Sequence, residues 1–474
     1  MFLKRFYDPK LAQASYLVGC TNSGEALVVD PNRHIDPYLQ AAAAEGLRVL
    51  HVIETHIHAD FVSGVRELAH RSGARQYLSD AGGAAWSYGY STAARTTLLR
   101  DASCFNVGTV EVRALHVPGH TPEHLALLIT DTSAASEPMG AFTGDFIFVG
   151  DVGRPDLLER AVRVRDSMEQ SARQLFRSLQ QFRAFPDYLQ IWPGHGAGSA
   201  CGKSLGAVPQ TTLGYEKRFN WAFGIRDEGE FVGAVLAGQP EPPRYFAAMK
   251  RINQTGPRLL GDIRRPPRLS AETLGTALAK GATVVDTRQA RDFGLGAVPG
   301  TINIPLNRAF TTWAGSLLPY DRDFYLIVDD RTIQTVDELV GDLAGIGLDM
   351  IAGYFGLDTV EAWQGLIGHL QTTGTVALSD VSGRMEAHDA TLLDVRSPGE
   401  WEAGHVPGSV NIPLGDLDQR VNDIPRGSII VHCQSGARAA IAASVLTARG
   451  FDDVRLFPGG FAEWKAAGEP QETD

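Results

Sequence analysis

Four short segments in the N-terminal half of the chain place histidine or aspartate beside Gly, Pro or Thr, each where a predicted strand ends. They supply six residues: His56, His58, Asp60, His120, Asp145 and His195. Because a strand end is rigid and the following loop can aim side chains into one cleft, these imidazoles and carboxylates can converge. Imidazole and carboxylate groups are metal ligands, so the joint pattern predicts a metal site.

A second chemical pattern is the segment HCQSGAR (432–438), in which Cys433 follows the apolar run SIIV and precedes a helical pattern. A thiol at a helix N-terminus feels the positive end of the helix dipole, which favours the nucleophilic thiolate. Arg438 closes the loop and can pair with a bound anion. The loop is shorter than the phosphate cradle of cysteine phosphatases and suits a single sulfur atom. Cys433 and Arg438 are therefore predicted catalytic residues.

Cys433 lies in the second copy of a sequence repeat that fills the C-terminal half of the chain. The segment VVDTRQARDFGLGAVPGTINIPL (284–306) recurs as LLDVRSPGEWEAGHVPGSVNIPL (392–414). Both copies alternate apolar runs with helical patterns, which indicates a parallel, doubly wound α/β sheet. Asp330 of the first copy stands where the second has Cys433, and a carboxylate cannot carry a persulfide sulfur. We expect one inactive and one active copy.

The boundaries between domains follow from composition. Apolar strands such as EALVVDP and HLALLIT fill the N-terminal part, and the Pro- and Arg-rich segment 251–270 has little periodicity, which predicts a linker. A weaker boundary lies at 371–383. The predicted domains are 1–245, 263–370 and 375–474.

Bulk composition excludes several classes of protein. The 474 residues carry a formal net charge of −12 and include only four cysteines. The acidic balance argues against nucleic acid as the main partner. Too few cysteines are present for a disulfide framework, which indicates a reducing compartment, and we expect a cytoplasmic protein. Neither a signal sequence nor an apolar run of membrane-spanning length is recognisable, so we expect no membrane association.

The motif H-x-H-x-D with the later His and Asp segments resembles the metallo-β-lactamase superfamily, which implies an αββα sandwich. Dinuclear members carry a histidine directly after the Asp, and Phe61 at that position argues against a dinuclear hydrolase. The segments THIHADFVSG and GRPDL are similar to the persulfide dioxygenase branch. This resemblance implies one Fe(II) per chain with three ligands, His56, His120 and Asp145. It places three more residues around these ligands or in contact with the substrate, His58, Asp60 and His195.

The loop HCQSGAR, with Asp394, Arg396 and VPGSVNIP, resembles a rhodanese sulfurtransferase. The whole chain is similar to a fusion of a persulfide dioxygenase, a rhodanese-like domain without its cysteine and an active rhodanese domain. The resemblance implies oxidation of a low-molecular-weight thiol persulfide, of the glutathione or coenzyme A type, by O₂ to sulfite. Sulfur transfer through Cys433 would then form or use thiosulfate during sulfide oxidation, and we expect a homo-oligomer.

Further residues are weaker candidates. Cys201 lies six residues beyond His195 and is either a passive loop thiol or, as in the fusions that this chain resembles, a thiol that handles persulfide sulfur. Arg154 and the pair Lys217 and Arg218 could hold the carboxylates of a small thiol.

The chemistry of the residues leaves alternatives open. Two imidazoles and one carboxylate form the facial triad that suits non-haem Fe(II) and leaves coordination positions free. The main alternative is a zinc thioesterase of the glyoxalase II kind, fused to a sulfurtransferase, in which the metal activates water. A non-enzymatic sulfur carrier or sensor is a third interpretation.

Overall fold

The computed structural model describes residues 1–92, 94–160, 167–331, 333–366, 368–387 and 389–473. These residues form two compact units, Met1–Ile263 with Ala344–Gly347 and Arg264–Leu343 with Leu348–Asp474. The boundary between the units falls inside the segment 251–270. Among the helices of the described residues, none is long and apolar enough to cross a membrane.

The first unit contains two six-stranded sheets. The first sheet has the strand order β1 (Phe2–Asp8), β2 (Gln13–Cys20), β3 (Glu25–Val29), β4 (Arg48–Ile53), β5 (Arg75–Ser79) and β6 (Thr96–Leu99). The second sheet is built from β7 (Cys104–Val107), β8 (Val110–His116), β9 (Leu125–Asp131), β10 (Gly140–Gly144), β11 (Gln190–Pro193) and β12 (Thr211–Thr212), each beside the next. Strands β3 to β6 pair in parallel, as do β10 and β11, and the other neighbours are antiparallel.

Eight helices accompany these sheets in the described residues. They are α1 (Asp36–Ala44), α2 (Val65–Ser72), α3 (Leu157–Arg160), α4 (Met168–Phe182), α5 (Leu213–Phe219), α6 (Trp221–Gly224), α7 (Glu228–Leu236) and α8 (Phe246–Thr255). Short 3₁₀ turns occur at Ala84–Trp86 and Leu260–Asp262.

Side-chain alternation along the strands produces four layers. Leu27 and Val29 of β3 pack in a core that the two sheets share, whereas Ala26 and Val28 pack with residues of α1 and α2. The outer face of the second sheet packs against α4 and α7 in the same way. Because successive strand residues point to opposite faces, each sheet buries one face on its partner and the other under helices. The predicted αββα sandwich is confirmed.

The predicted linker is wrong at its start. Residues 251–255 belong to α8, whose Phe246, Met249 and Asn253 are buried in the first unit. The segment looks aperiodic because these buried positions alternate with charged and polar residues that remain accessible.

The second unit contains one sheet from each copy of the repeat. The first copy has α9 (Ala271–Ala279), β13 (Thr283–Asp286), α10 (Ala290–Leu295), β14 (Ile302–Asn303), α11 (Phe310–Leu317), β15 (Phe324–Val328), α12 (Ile333–Gly345), β16 (Ile351–Gly356) and α13 (Leu357–Leu366). The second copy has β17 (Gly374–Thr375), α14 (Leu378–Glu386), β18 (Thr391–Asp394), α15 (Pro398–Glu402), β19 (Val410–Asn411), α16 (Leu417–Arg420), β20 (Ser428–His432), α17 (Ala437–Ala448), β21 (Asp453–Leu456) and α18 (Gly460–Ala466). Further 3₁₀ turns occur at Leu414–Asp416 and Val421–Asp423.

Both sheets of the second unit are parallel throughout, as the alternation of strands and helices predicts. Their strand orders are β14-β13-β15-β16 and β17-β21-β20-β18-β19. The Asn303 side chain donates hydrogen bonds to the carbonyl oxygens of Asp286 and Arg288, and Asn411 repeats this arrangement in the second copy. The copies also touch each other, because the Asn303 backbone N–H donates to Ser444 Oγ of α17 at 2.8 Å. The domain limits 263–370 and 375–474 stay predictions.

Candidate metal centre and thiol site

The three predicted metal ligands lie close together in the first unit. The ligand atoms of His56, His120 and Asp145 all lie within 4.8 Å of one another. Asp145 Oδ2 is 3.8 Å from His56 Nε2 and 3.4 Å from His120 Nε2. The three residues follow β4, β8 and β10, which end at one edge of the sandwich, and all three are buried. The strand ends therefore bring two imidazoles and one carboxylate together.

The orientation of these side chains fits a cation. His56 Nε2 and both carboxylate oxygens of Asp145 are buried without a hydrogen-bond partner among the described residues. The other ring nitrogens form hydrogen bonds: His56 Nδ1 lies 3.0 Å from Thr55 Oγ1, and His120 Nδ1 lies 3.0 Å from the carbonyl oxygen of Arg154. Buried polar atoms without partners are costly. A metal ion would satisfy them, and the held Nδ1 atoms fix the rings for ligation through Nε2.

The protonation states also suit a metal. Burial lowers the pKa of His56 well below its ordinary value and lowers that of His120, so both rings are neutral. Burial acts to raise the pKa of Asp145, but the neighbouring His195 and His120 outweigh it and the pKa is lowered. Neutral imidazole and ionised carboxylate are the forms that bind metals.

A second group of possible ligands adjoins the first. The ligand atoms of Asp60, His195 and Cys201 lie within 4.8 Å of one another. His195 Nε2 is 3.2 Å from Asp60 Oδ2 and 3.4 Å from Asp145 Oδ1, so the two groups are continuous. Burial raises the pKa of the Cys201 thiol well above its ordinary value, and the pKa of Asp60 is raised for the same reason. Cys201 therefore lies at the cleft and stays a thiol unless a cation is close.

His58 adjoins the ligand group, because its ring centroid is 4.2 Å from that of His56. Its Nε2 atom is 3.3 Å from Asp30 Oδ1, and its ring centroid is 4.3 Å from that of Phe61. Burial acts to lower the pKa of His58, but the carboxylate of Asp30 outweighs it and raises the pKa to about 9. His58 therefore carries a positive charge at neutral pH, next to the apolar ring of Phe61.

Two residues that support the centre were missed by the sequence analysis. Asn253 of α8 is fully buried, donates to the carbonyl oxygens of His58 and Phe61 at 2.8 and 2.7 Å, and accepts a hydrogen bond from Ser63 N at 2.9 Å. His124 Nε2 accepts from the backbone N–H of Asp145 at 3.0 Å. His124 lies four residues after His120, in the segment PGHTPEH (118–124), and could have been noticed in the sequence. No local signal connects Asn253 to a loop 190 residues earlier in the chain.

The three predicted carboxylate-binding residues do not gather at the centre. Arg154 is fully buried, and its guanidinium pairs with Asp156 at 2.7 and 2.8 Å and donates to the carbonyl oxygen of Ala200. The prediction for Arg154 as an accessible substrate contact does not fit this geometry, because its positive charge is neutralised inside the protein. Its carbonyl oxygen instead holds His120.

Lys217 and Arg218 lie on α5. Lys217 Nζ donates to Asp187 Oδ1 at 2.7 Å and to the carbonyl oxygen of Phe185. Residues 185–187 precede β11, whereas His195 follows it, so Lys217 lies at the far end of that strand from the metal ligands. Arg218 is exposed on the same helix. The structure therefore does not bring this pair to the centre.

The second copy of the repeat presents the thiol. Cys433 follows β20 directly, and α17 begins four residues later at Ala437. Gly436, at the N-cap of α17, has φ +87°, and a side chain there would meet the carbonyl oxygen of Pro458 at 2.4 Å. Only glycine fits at this turn. The loop therefore holds the buried Cys433 at the start of a twelve-residue helix, as predicted.

Both arginines near this thiol are paired with carboxylates. Arg438 donates to the two oxygens of Glu400 at 2.7 and 2.8 Å. Arg396 is buried, pairs with Asp394 at 2.6 to 3.1 Å and donates to the carbonyl oxygen of Gly404. The predicted anion contact of Arg438 is therefore already occupied by a side chain of α15.

The predicted equivalence of Asp330 and Cys433 is wrong, because β15 pairs Ile327 with Asp286 as β20 pairs His432 with Asp394, which places Val328 at the position of Cys433. Asp330 lies two residues beyond the end of β15 and takes part in an ion-pair network. Arg268 binds Asp330 through Nε at 2.5 Å and Asp358 through a terminal nitrogen at 2.8 Å. The ion pairs therefore stabilise the loop after β15. The sequence of the first copy contains no cysteine, so its predicted lack of catalysis stays a prediction that does not depend on Asp330.

Comparison with known proteins finds relatives for both the N-terminal and the C-terminal part of the chain. A model of the metallo-beta-lactamase superfamily matches residues 8–195, and a rhodanese-like domain model matches residues 377–467. A hydroxyacylglutathione hydrolase of Methylococcus capsulatus is 30% identical over 259 residues, which cover 53% of this chain and 91% of that protein. The uncharacterized protein YqhL of Bacillus subtilis is 38% identical over 88 residues, which cover 18% of this chain and 70% of that protein.

A solved structure covers a larger part. The structure of a metallo-beta-lactamase from Staphylococcus aureus subsp. aureus COL is 42% identical in sequence and superposes with a TM-score of 0.67, covering 75% of this chain and 99% of that one. The αββα sandwich and its convergent His and Asp residues agree with both comparisons. The chain belongs to the metallo-beta-lactamase superfamily and carries a rhodanese-like domain at its C-terminus.

Proposed function

We propose that the first unit is a persulfide dioxygenase that holds one Fe(II) per chain by His56, His120 and Asp145. The reaction is R–S–SH + O₂ + H₂O → R–SH + SO₃²⁻ + 2 H⁺. The observation that carries the proposal is the buried group of two neutral imidazoles and one carboxylate with unpaired ligand atoms. This donor set is the facial triad of non-haem iron oxygenases.

Bound Fe(II) would bring persulfide sulfur and O₂ together and supply the one-electron chemistry that side chains lack. The surrounding residues prepare the site for an anionic sulfur substrate. The positive charge on His58, held by Asp30, favours a persulfide anion nearby. Asp60 and His195, 3.2 Å apart, can hold a proton between Oδ2 and Nε2. Burial of the whole group excludes bulk water.

In the second unit, we propose that Cys433 carries sulfane sulfur. The thiolate attacks the outer sulfur of a small thiol persulfide of the glutathione or coenzyme A type: Cys–S⁻ + R–S–SH → Cys–S–SH + R–S⁻. Sulfite from the first reaction can then take the sulfur: Cys–S–SH + SO₃²⁻ → Cys–SH + S₂O₃²⁻. The second reaction is reversible, so thiosulfate can also supply the sulfur. Cys201 beside the metal ligands is a possible second thiol for persulfide sulfur.

Free cysteines support this sulfur chemistry. All four cysteines of the chain are unpaired in the structure. Free thiols persist in a reducing compartment such as the cytoplasm, which is where we propose that the protein acts.

A specific observation favours a second candidate, a zinc thioesterase. Asp60, His195 and Cys201 form a further group beside Asp145, which could hold a second metal ion, and a thiolate is a good zinc ligand. The similarity to hydroxyacylglutathione hydrolases supports the same function. Against it, Phe61 occupies the position where dinuclear members have a histidine.

Metal analysis separates the two functions. The full-length protein, purified without oxygen after growth with both metals, should hold one iron per chain and leave hydroxyacylglutathione thioesters intact. Two zinc ions per chain together with thioester hydrolysis would establish the thioesterase instead.

A further inference from the structure

The pairing of Arg438 with Glu400 determines which sulfur donors the thiol site accepts. Glu400 accepts two hydrogen bonds from Arg438 and two more from the backbone N–H and hydroxyl of Ser397, at 3.0 and 2.9 Å. Ser397 is the N-cap of α15, and Glu400 completes its capping box. The carboxylate is therefore fixed by the helix start and not merely drawn to the arginine.

Glu400 keeps its charge at neutral pH. Burial acts to raise its pKa, but the hydrogen bonds from Arg438 and Ser397 outweigh it and lower the pKa to about 2. The ionised pair contributes no net charge beside Cys433. A bidentate pair of this kind also uses the planar fork by which arginine would otherwise bind an oxyanion.

No other cation of the described residues replaces Arg438 at this loop. The guanidinium of Arg396 is buried, bound to Asp394 and stacked on the ring of Phe461 at 3.9 Å. His432, which precedes the thiol, is fully buried, and burial lowers its pKa, so its ring is neutral. Among Arg438, Arg396 and His432, none therefore offers an unpaired positive charge to a sulfur oxyanion that approaches Cys433.

We infer that Glu400 is a specificity-determining residue that, by neutralising Arg438, disfavours the dianions thiosulfate and sulfite at Cys433 relative to persulfides of small thiols. The inference rests on the proposed sulfurtransferase function and concerns the same site. Thiosulfate carries two negative charges on a compact ion, whereas the reacting end of a persulfide carries at most one. A free arginine would attract a dianion more strongly than a monoanion, and the pairing of Arg438 with Glu400 removes this preference.

The test is the substitution Glu400→Gln in the full-length protein, with KM and kcat measured separately for thiosulfate and for glutathione persulfide. The neutral amide frees the Arg438 fork for an oxyanion. KM for thiosulfate should fall about three- to tenfold, and KM for the persulfide should change less than about twofold. A ratio of the two KM values that stays unchanged, or a thiosulfate KM that rises, would overturn the inference.

Two further variants separate charge from structure. Glu400→Asp keeps the charge with a shorter side chain and should retain the wild-type ratio of KM values. If it changes that ratio as Glu400→Gln does, the charge is not the determinant. Glu402→Gln removes an exposed carboxylate from the same short helix and should leave both KM values unchanged.

Failure of the inference is distinguishable from failure of the proposed function. Incubation of the wild-type chain with glutathione persulfide should add the mass of one sulfur atom at Cys433, detected by peptide mass spectrometry. If Cys433 gains no sulfur from either donor, the sulfurtransferase function itself is wrong. If it gains sulfur but the Glu400 variants do not differ in their KM ratio, only the inference is wrong.

Discussion

At the scale of single residues, charge placement organises both candidate sites. The metal centre joins a carboxylate whose pKa is lowered by surrounding histidines to imidazoles that burial keeps neutral. The thiol site has the opposite arrangement, because the cation of Arg438 is neutralised by Glu400. One site is therefore prepared for a positive ion and the other is protected from a strongly negative one.

The pKa of Glu400 predicts how stability depends on pH. Its ordinary value of 4.5 falls to about 2 in the folded chain, so the carboxylate stabilises the fold above its ordinary pKa and loses that contribution as the pH falls towards 2. Because its side chain is about one third exposed, solvent screening limits the contribution to about 1 kcal/mol. The difference in unfolding free energy between wild type and Glu400→Gln should be constant near neutral pH and shrink below about pH 4.5. A difference that grows on acidification would contradict the ion pair.

Residue identity alone predicted part of this chemistry. Cys433 distinguishes the two copies of the repeat, because the first copy has no cysteine, although the strand register places Val328 and not Asp330 at its position. The partner of an arginine side chain cannot be predicted from its identity in the same way. Arg154 and Arg438 were both expected to bind anions of a substrate, and each is paired with a carboxylate of the chain instead. Such pairing depends on which carboxylates packing brings close, which motif spacing does not contain.

At the scale of elements, the metal ligands follow the ends of strands, and a helix that is distant in sequence stabilises one of the loops beside them. Helix α8 places Asn253 against the loop that follows His58, where it satisfies two carbonyl oxygens and one N–H group. Loop backbone that is buried beside a metal needs such partners, because water cannot reach it. Asn253 therefore acts on the centre through the loop that carries His58 and Asp60.

Substitution of this asparagine tests the role of the helix. Asn253→Ala leaves three buried backbone groups unpaired, and we expect metal affinity to fall about ten- to a hundredfold, as for other residues that orient ligands. Titration of the metal-free chain with Fe(II), followed by anaerobic spectroscopy, measures this. Gln254→Ala, at the exposed neighbouring position on α8, is the matched control. Equal iron affinity in both variants would show that Asn253 does not support metal binding.

Elements with strong periodicity were predictable, and those held by long-range contacts were not. The alternation of apolar runs and helical patterns predicted the parallel sheets of the second unit, since each run must be covered on both faces. The sequence predicts a linker at 251–270, although α8 extends to Thr255. Helix α8 buries only Phe246, Met249 and Asn253, so its hydrophobic period is weak in the sequence. The contacts of these three residues with the first unit stabilise the helix.

At the scale of the whole molecule, the chain joins a metallo-beta-lactamase fold and a rhodanese-like domain, and the two proposed reactions share a sulfur compound. Each compact unit contains its own candidate site, the metal ligands in the first and Cys433 in the second. Sulfite, the proposed product of the first site, is a nucleophile towards a persulfide at the second. The repeat predicted that the thiol lies in the C-terminal half, apart from the metal ligands of the N-terminal half. The identity of the small thiol is not encoded in any motif, because the residues proposed to hold it are buried or lie far from the centre.

The central claim is tested most directly by oxygen uptake of the iron-loaded full-length protein with glutathione persulfide. We predict persulfide-dependent uptake with one sulfur oxidised to sulfite for each O₂ consumed. Asp145→Asn should abolish the uptake, and Cys433→Ser should preserve it while preventing thiosulfate formation. An iron-loaded protein that consumes no O₂ with persulfide, yet hydrolyses hydroxyacylglutathione thioesters when loaded with zinc, would contradict the account.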